Sequence, residues 1–266
     1  MDSDVAESAL GWGKEQLFRA ERWVGRQIFA DPFLKGEKKM LFVLGHMRTG
    51  SSLLVHILTS NPGIVGYGET HSVYTQPQDF GAVTAHICRR LRRVPGNEAY
   101  MLDKVLHKYQ VARDEVLLHP SVRLVFMIRR PVMALSSIVR QVGHTFSPER
   151  AREHYIGQIK WMQATAQRLD PTRWTFVTYQ DLVEETAQVF ERLERFLGVD
   201  EPMTETYRTT RFTGVRGVGD AGTHIESGRI KRNIDRTVDR RIRPFLREAR
   251  WAFTACYETL HTQNIW

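Results

Sequence analysis

Residues 41–52, Leu-Phe-Val-Leu-Gly-His-Met-Arg-Thr-Gly-Ser-Ser, decide the fold of this chain. An apolar run predicts a buried strand, and it leads into a loop bounded by Gly45 and Gly50 with the spacing Gly-x-x-x-x-Gly. Helix-forming residues follow the second glycine. A strand, a glycine-bounded loop and a helix together predict a phosphate cradle, because backbone N–H groups and the positive end of the helix attract anions.

The cradle departs from the form that binds nucleoside triphosphates. In that form a lysine and then a serine or threonine follow the second glycine, and the lysine contacts the terminal phosphates. Here Ser51 stands at the lysine position, and Arg48 is the long cationic side chain of the loop. The sequence therefore favours a nucleotide that carries few phosphates at its 5′ end.

Composition limits the ligand and the compartment. The chain has 266 residues, 42% of them hydrophobic, which is enough for a full core. A formal charge of +8 favours an anionic partner without choosing among a nucleotide, a nucleic acid and an acidic membrane. The acidic N-terminus, the absence of a signal-like apolar run and only two cysteines lead us to expect a cytoplasmic protein.

Residues 14–30 predict a helix with an imperfect apolar stripe. We expect residues 1–36 to form a helical appendage and residues 37–266 to form one compact domain. The helix is expected to pack on that domain. Peripheral contact with a membrane surface, through the arginines of the helix, is the alternative.

Strands and helices are predicted to alternate along the rest of the chain. The predicted strands cover residues 41–44, 64–67, 122–128 and 174–179, and the predicted helices cover 53–58, 98–112, 131–140, 148–169, 182–197 and 240–260. This order indicates an α/β fold with a central, mainly parallel sheet flanked by helices. Ligands bind at the carboxyl ends of the strands in such sheets, where Arg48, Glu69, Arg129 and Tyr179 follow the predicted strands.

Several separated motifs resemble the sulfotransferases that use 3′-phosphoadenosine 5′-phosphosulfate (PAPS). The stretch Arg48-Thr49-Gly50-Ser51-Ser52 resembles their 5′-phosphosulfate loop, and Arg129 with Ser137 across Pro131 resembles their 3′-phosphate motif, although Arg130 replaces the usual aspartate. The segment Tyr179-Gln180-Asp181-Leu182 resembles the family's Tyr-Glu-Asp-Leu segment near the adenine. Lys104 stands where the family has a lysine that reaches the transferred group. The stretch 213–220, with Arg216 and Gly217, resembles the loop that closes over the nucleoside. The resemblance spans roughly residues 40–235.

This resemblance implies a P-loop-like sulfotransferase architecture and transfer of a sulfuryl group from PAPS to a hydroxyl group, with PAP as the product and without a metal. The acceptor would be a carbohydrate, a glycolipid or a related small molecule, and no nucleic acid is expected as a partner. Elementary chemistry agrees, since PAPS carries two separate anions and Arg129 offers a planar fork that matches a phosphate.

Glu69 is the candidate general base, because sulfuryl transfer requires removal of the acceptor's proton. Family branches acting on tyrosine or sugars have a glutamate in the corresponding place, whereas the small-molecule branch has a histidine shortly after its lysine. His107 is therefore the rival base, although an ordinary position on an amphipathic helix is expected for it. Arg48 and Lys104 would stabilise the charge that develops during transfer.

Two other functions are consistent with parts of the pattern. A P-loop nucleotide kinase would need a lysine for the γ-phosphate and an acidic magnesium ligand, and neither stands at a suitable position. A non-catalytic, basic protein that binds nucleotides or nucleic acid would show salt-sensitive binding and would not depend on Glu69.

Overall fold

The computed structural model describes residues 19–111, 113–142, 146–215, 224–232 and 237–266. The strands are β1 (Lys39–Gly45), β2 (Ile64–Val65), β3 (Tyr100–Val105), β4 (Val122–Ile128) and β5 (Trp174–Thr178). The α-helices are α1 (19–28), α2 (Asp31–Leu34), α3 (Ser51–Ser60), α4 (Asp79–Leu91), α5 (Glu115–Leu118), α6 (Pro131–Val142), α7 (Pro148–Ala166), α8 (Tyr179–Glu184), α9 (Thr186–Leu197) and α10 (Leu246–Gln263).

The five strands form one sheet in the order β2-β3-β1-β4-β5, and every pairing is parallel. Strand β1 lies in the centre, with Val43 in register with Lys104 of β3 on one side and with Val125 of β4 on the other. After β1 the chain forms β2 and β3 on one side of it and then crosses to form β4 and β5 on the other side. The carboxyl end of β1 is therefore the place where the strand order reverses, and a ligand cleft is expected there.

Both faces of the sheet are covered, which explains the nearly continuous apolar sequence of β1. Phe42 and Leu44 join a core with helices α4, α6, α7 and α10, whereas Leu41 and Val43 join a second core with α3, α8 and α9. Successive side chains of a strand point to opposite faces, so each face needs its own apolar set. The predicted α/β fold with a parallel sheet is confirmed.

The helix predicted over residues 98–112 is wrong. This stretch contains strand β3 and a short 3₁₀ turn, Lys108–Gln110. Asp103 and Lys104 interrupt the apolar run in sequence, which made the segment look amphipathic. Both side chains are nevertheless buried within the sheet, where polar partners satisfy them. This segment forms a strand because of contacts with other elements of the fold, and the local sequence pattern does not show those contacts.

The other predicted elements differ only in detail. Strands β1, β4 and β5 and helices α3, α6 and α7 lie where they were expected. The strand predicted over 64–67 keeps only two residues, and the helix predicted over 182–197 is divided at Glu185, whose backbone angles (φ −119°, ψ 42°) are not helical. The last predicted helix begins as a 3₁₀ segment, Arg240–Phe245, before α10.

Helix α1 packs closely on α4. A Cβ atom on Gly81 would lie 2.6 Å from the backbone nitrogen of Ala30, and one on Gly25 would lie 2.6 Å from Cα of Ala82. Arg22 and Arg26 donate hydrogen bonds to the buried carboxylate of Asp79 at 3.2 and 2.8 Å. The helix therefore docks on the sheet domain, as expected, while the division at residue 36 stays a prediction. None of the described helices has the length and apolar character needed to cross a membrane.

We predict that Gly81→Ala destabilises the docking of α1. The added methyl group meets backbone atoms on α1 and its exit, and such overpacking costs about 1–3 kcal/mol of unfolding free energy. Chemical denaturation, with limited proteolysis of the N-terminal segment, measures the effect. Gly157→Ala, at an exposed position of helix α7, is the matched control: its Cβ meets no atom within 4 Å, so it should stabilise the protein by up to about 1 kcal/mol. Equal stability of the two variants would contradict the close packing of α1 on α4.

Candidate functional site

The loop after β1 forms the predicted cradle at the carboxyl edge of the sheet. Gly50 has φ 93° and precedes the first turn of α3, and Arg48 also lies in the left-handed region with φ 63°. Ser51 donates its backbone N–H to Oγ1 of Thr49 at 3.3 Å. A non-glycine residue at positive φ is uncommon, and such geometry concentrates at binding sites. The loop thus places the N-terminus of α3 and the Arg48 side chain on one side of the cleft.

Besides its positive φ, the close approach of Tyr179 is a second reason why position 50 requires glycine. A Cβ atom at Gly50 would lie 2.8 Å from Cε2 of the Tyr179 ring, so the ring packs directly on the loop backbone. The guanidinium of Arg129 lies 4.0 Å from the centre of the same ring, a cation–π contact. Residues from the ends of β1, β4 and β5 are therefore stacked into one wall.

The structure brings the two predicted phosphate motifs into contact. Arg48 donates from Nε to Oγ of Ser137 at 3.1 Å, and Arg129 donates to the backbone oxygen of Arg48 at 3.0 Å. The hydroxyl of Tyr155 in turn donates to the backbone oxygen of Arg129 at 2.8 Å. Arg129 is half-buried in this network, whereas Arg130 is exposed, so the geometry favours Arg129 as the anion ligand.

Lys104 joins the cradle to Glu69. It is 2% exposed within β3, and its Nζ lies 3.3 Å from Oγ of Ser52 and 3.8 Å from Oε2 of Glu69. The residues predicted as catalytic cation and catalytic carboxylate are therefore neighbours, next to the first turn of α3. A buried ammonium group requires such partners, because desolvation of an isolated charge is costly.

Glu69 carries a negative charge in this setting. Burial raises the pKa of its carboxyl group, but His71, Lys104 and His107 lower it, and the pKa lies below its ordinary value as a result. The imidazole Nδ1 of His71 lies 3.3 Å from Oε1 of Glu69. Sequence reasoning missed His71, although a histidine two residues from a candidate base is the signal that could have found it.

Asp103 anchors the loop that carries Glu69, and the sequence interpretation gave it no role. Its buried carboxylate accepts hydrogen bonds from the backbone N–H of Thr70 at 2.9 Å, from the Thr70 hydroxyl at 2.7 Å and from the Tyr74 hydroxyl at 2.6 Å. Burial raises the pKa of Asp103 to about 6. Asp103, next to Lys104 in the strand, thus holds Thr70, next to Glu69 in the loop, in place.

His107 does not lie on a helix face, as was expected, but at the carboxyl end of β3, where it begins the 3₁₀ turn. Its ring centre lies 5.2 Å from that of His154, and Nε2 of His154 accepts the backbone N–H of Met47 at 3.2 Å. Burial lowers the pKa of His107, and it lowers the pKa of His154 to about 4. Both imidazoles are thus neutral at physiological pH, and they lie together beside the loop after β1.

Arg216 and Gly217, predicted to close over the nucleoside, lie outside the described residues. Thr213, in the loop before them, is linked to the cradle by His56 of α3. Nε2 of His56 lies 2.9 Å from Oγ1 of Thr213, and Nδ1 of His56 lies 2.7 Å from the backbone oxygen of Ser52. Within the described part of the chain, no three His, Cys, Asp or Glu side chains are grouped as metal ligands.

Comparison with known proteins agrees with this geometry. Residues 77–204 match the family model described as "Sulfotransferase family". The matched segment contains Lys104, Arg129, Ser137 and Tyr179, while the cradle itself lies before it. No curated protein sequence matches the chain at a significant level.

Solved sulfotransferase structures share the fold. The sulfotransferase domain from the Synechococcus PCC 7002 olefin synthase is 17% identical, with a TM-score of 0.54 over 79% of this chain and 95% of that one. The sulfotransferase domain from the curacin biosynthetic pathway is 16% identical, with a TM-score of 0.53 over 79% of this chain and 97% of that one. Mouse sulfotransferase SULT7A1, whose structure was determined with PAP, is 11% identical, with a TM-score of 0.50 over 85% of this chain and 86% of that one. The predicted P-loop-like sulfotransferase architecture is confirmed by these shared folds, and residues 77–204 are similar to the sulfotransferase family.

We predict that Asp103 makes stability fall as pH rises from 4 to 6. Its pKa moves from an ordinary 3.8 in the unfolded chain to about 6 in the folded one, so the folded state binds the proton more tightly. The contribution of Asp103 to stability is then greatest below pH 4, and up to about 3 kcal/mol of it is lost as the folded carboxyl ionises. Denaturation of wild type and Asp103→Asn at several pH values measures the difference, and parallel pH curves would contradict the raised pKa.

Proposed function

We propose that this sulfotransferase moves the sulfuryl group of PAPS to a hydroxyl group of a carbohydrate, a glycolipid or a related small molecule, and releases PAP. One observation carries the proposal: the buried Lys104 lies 3.3 Å from Ser52 of the cradle and 3.8 Å from Glu69. A cation is thus shared between the donor loop and a carboxylate. Sulfuryl transfer needs that combination, because one group must stabilise the leaving phosphate while another removes a proton.

The residues present fit PAPS as the donor. The first anion would be held by the loop Arg48, Thr49, Gly50, Ser51 and Ser52, where Gly50 keeps the backbone open and the N-terminus of α3 is near. The second anion would be held by Arg129 and Ser137, which are already joined to Arg48 by hydrogen bonds. Tyr179 offers a ring for the adenine, and we assign Arg216 and Gly217 to the same nucleoside by the resemblance of their loop.

When bound, PAPS supplies the sulfuryl group and a phosphate that leaves readily. The chain's own residues then do three things. Glu69 acts as the general base for the acceptor hydroxyl. Lys104 and Arg48 stabilise negative charge on the bridging oxygen, in a buried setting where such contacts are strong. Because Lys104 lies beside both Ser52 and Glu69, it would stabilise negative charge on a bound donor while keeping the Glu69 carboxylate ionised.

We predict that adenosine 3′,5′-bisphosphate binds at least 10-fold more tightly than ATP with magnesium. The cradle has Ser51 where a triphosphate site has lysine, whereas Arg129 and Ser137 supply a site for a separate 3′-phosphate. Isothermal titration calorimetry with each ligand gives the two affinities. Adenosine 5′-phosphate is the control for the 3′-phosphate and should bind more weakly than the bisphosphate. Tighter binding of ATP with magnesium would exclude PAPS as the donor and favour a kinase.

We predict that Glu69→Gln lowers kcat for sulfuryl transfer by about 10²–10⁴-fold, because a positioned base contributes that much. The affinity for PAP should change less than threefold, since Glu69 lies on the acceptor side of Lys104. Labelled PAPS with a panel of hydroxyl acceptors provides the assay. His107→Gln is the matched control and should retain most activity; the opposite ranking of the two variants would make His107 the base.

A further inference from the structure

The turn that presents Arg48 is unfavourable for an arginine. The backbone N–H of Thr49 donates to the backbone oxygen of His46 at 3.3 Å and closes a four-residue turn in which Arg48 is the third residue. A positive φ at that position favours glycine or asparagine, whereas Arg48 has φ 63°. Such a conformation persists only where surrounding contacts impose it. The contacts that hold this turn therefore determine where the Arg48 side chain is placed.

The peptide groups on both sides of Met47, the residue before Arg48, are held by histidines. Nε2 of His154, on α7, accepts the backbone N–H of Met47 at 3.2 Å. Nδ1 of His46 lies 2.8 Å from the backbone oxygen of Met47, and this nitrogen must carry the proton because a carbonyl oxygen can only accept. The turn is thus fixed from two sides before the chain reaches Arg48.

His154 is in the protonation state that this contact requires. A ring nitrogen that accepts an N–H carries no proton, so the imidazole must be neutral. Burial keeps it neutral by lowering its pKa to about 4. The ring is also packed, with its centre 5.2 Å from that of His107 and 6.3 Å from that of Phe146. Neighbouring rings therefore fix the position of the accepting nitrogen.

Helix α7 supports the far side of the same turn through the next residue, Tyr155. Its hydroxyl donates to the backbone oxygen of Arg129 at 2.8 Å, and Arg129 donates to the backbone oxygen of Arg48 at 3.0 Å. The Tyr155 ring also packs edge-on against His46, with ring centres 4.5 Å apart. Two adjacent residues of α7, His154 and Tyr155, thus hold the backbone on both sides of Arg48.

We propose that His154 is a positioning residue, which holds the turn in the conformation from which Arg48 binds the 5′ anion of the donor. This role rests on the proposed use of PAPS. His154 needs no contact with the donor, since it acts through the backbone of Met47 and the side chain of Arg48. Its contribution to donor binding should therefore disappear when the Arg48 guanidinium is removed.

Two substitutions of His154 separate its hydrogen bond from its packing. His154→Phe keeps an aromatic ring but leaves the N–H of Met47 without its acceptor, so we expect the affinity for PAP to fall about 10-fold. His154→Gln loses the ring but offers a side-chain oxygen to that N–H, and the affinity should stay within about threefold of wild type. His154→Leu, which has neither ring nor acceptor, should bind PAP no better than His154→Phe. Isothermal titration calorimetry measures the affinities.

A double-mutant cycle tests whether His154 acts through Arg48. In an Arg48→Ala background, His154→Phe should lower the affinity for PAP by less than about threefold, because the side chain that it positions is absent. Thermal unfolding of the same four proteins should show each one folded at the temperature of the titration.

Three outcomes would overturn the proposal: wild-type affinity in His154→Phe, an affinity in His154→Gln as low as in His154→Phe, or the same loss of affinity in both backgrounds. Failure of the wild-type protein to bind PAP would instead refute the proposed donor.

Discussion

The buried ammonium group of Lys104 is the interaction on which the site depends. A charge at 2% exposure is stable only when polar partners replace water, and here those partners are Ser52 on the cradle helix and Glu69 on the loop after β2. Because Lys104 is part of a central strand, its position is fixed by the register with Val43 of β1. The sheet therefore sets the distance between the cradle and Glu69 through the position of Lys104.

Much of this arrangement could be predicted from the sequence. Strands with continuous apolar runs, such as β1 and β4, were recognisable because both their faces are buried. The cradle glycines and the arginine after β4 could be found because their chemistry is local to a few residues. Strand β3 could not, since the burial of Asp103 depends on Thr70 and Tyr74, which are distant in sequence. Local periodicity contains no information about such partners.

The same reasoning explains the mixed outcome for the histidines. His107 was expected on a helix because β3 was not recognised, and the correct strand places it at the edge of the cleft. His71 and His154 were missed or set aside, since a lone histidine in a loop or on a helix has no distinctive spacing. Their contacts, to Glu69 and to the backbone of Met47, arise only when three different chain segments meet.

The strand order divides the cleft into two halves with separate origins. On one side of β1, β4 and β5 supply Arg129 and Tyr179, which we propose for donor recognition. On the other side, β3 and the segment 68–72 supply Lys104 and Glu69, which we propose for charge stabilisation and proton removal. Substitution of Glu69 does not remove the contacts among Arg48, Arg129, Ser137 and Tyr179. The proposed function therefore separates acceptor range from donor recognition, so that changes in the segment 68–72 would alter the acceptor while the proposed nucleotide contacts remain.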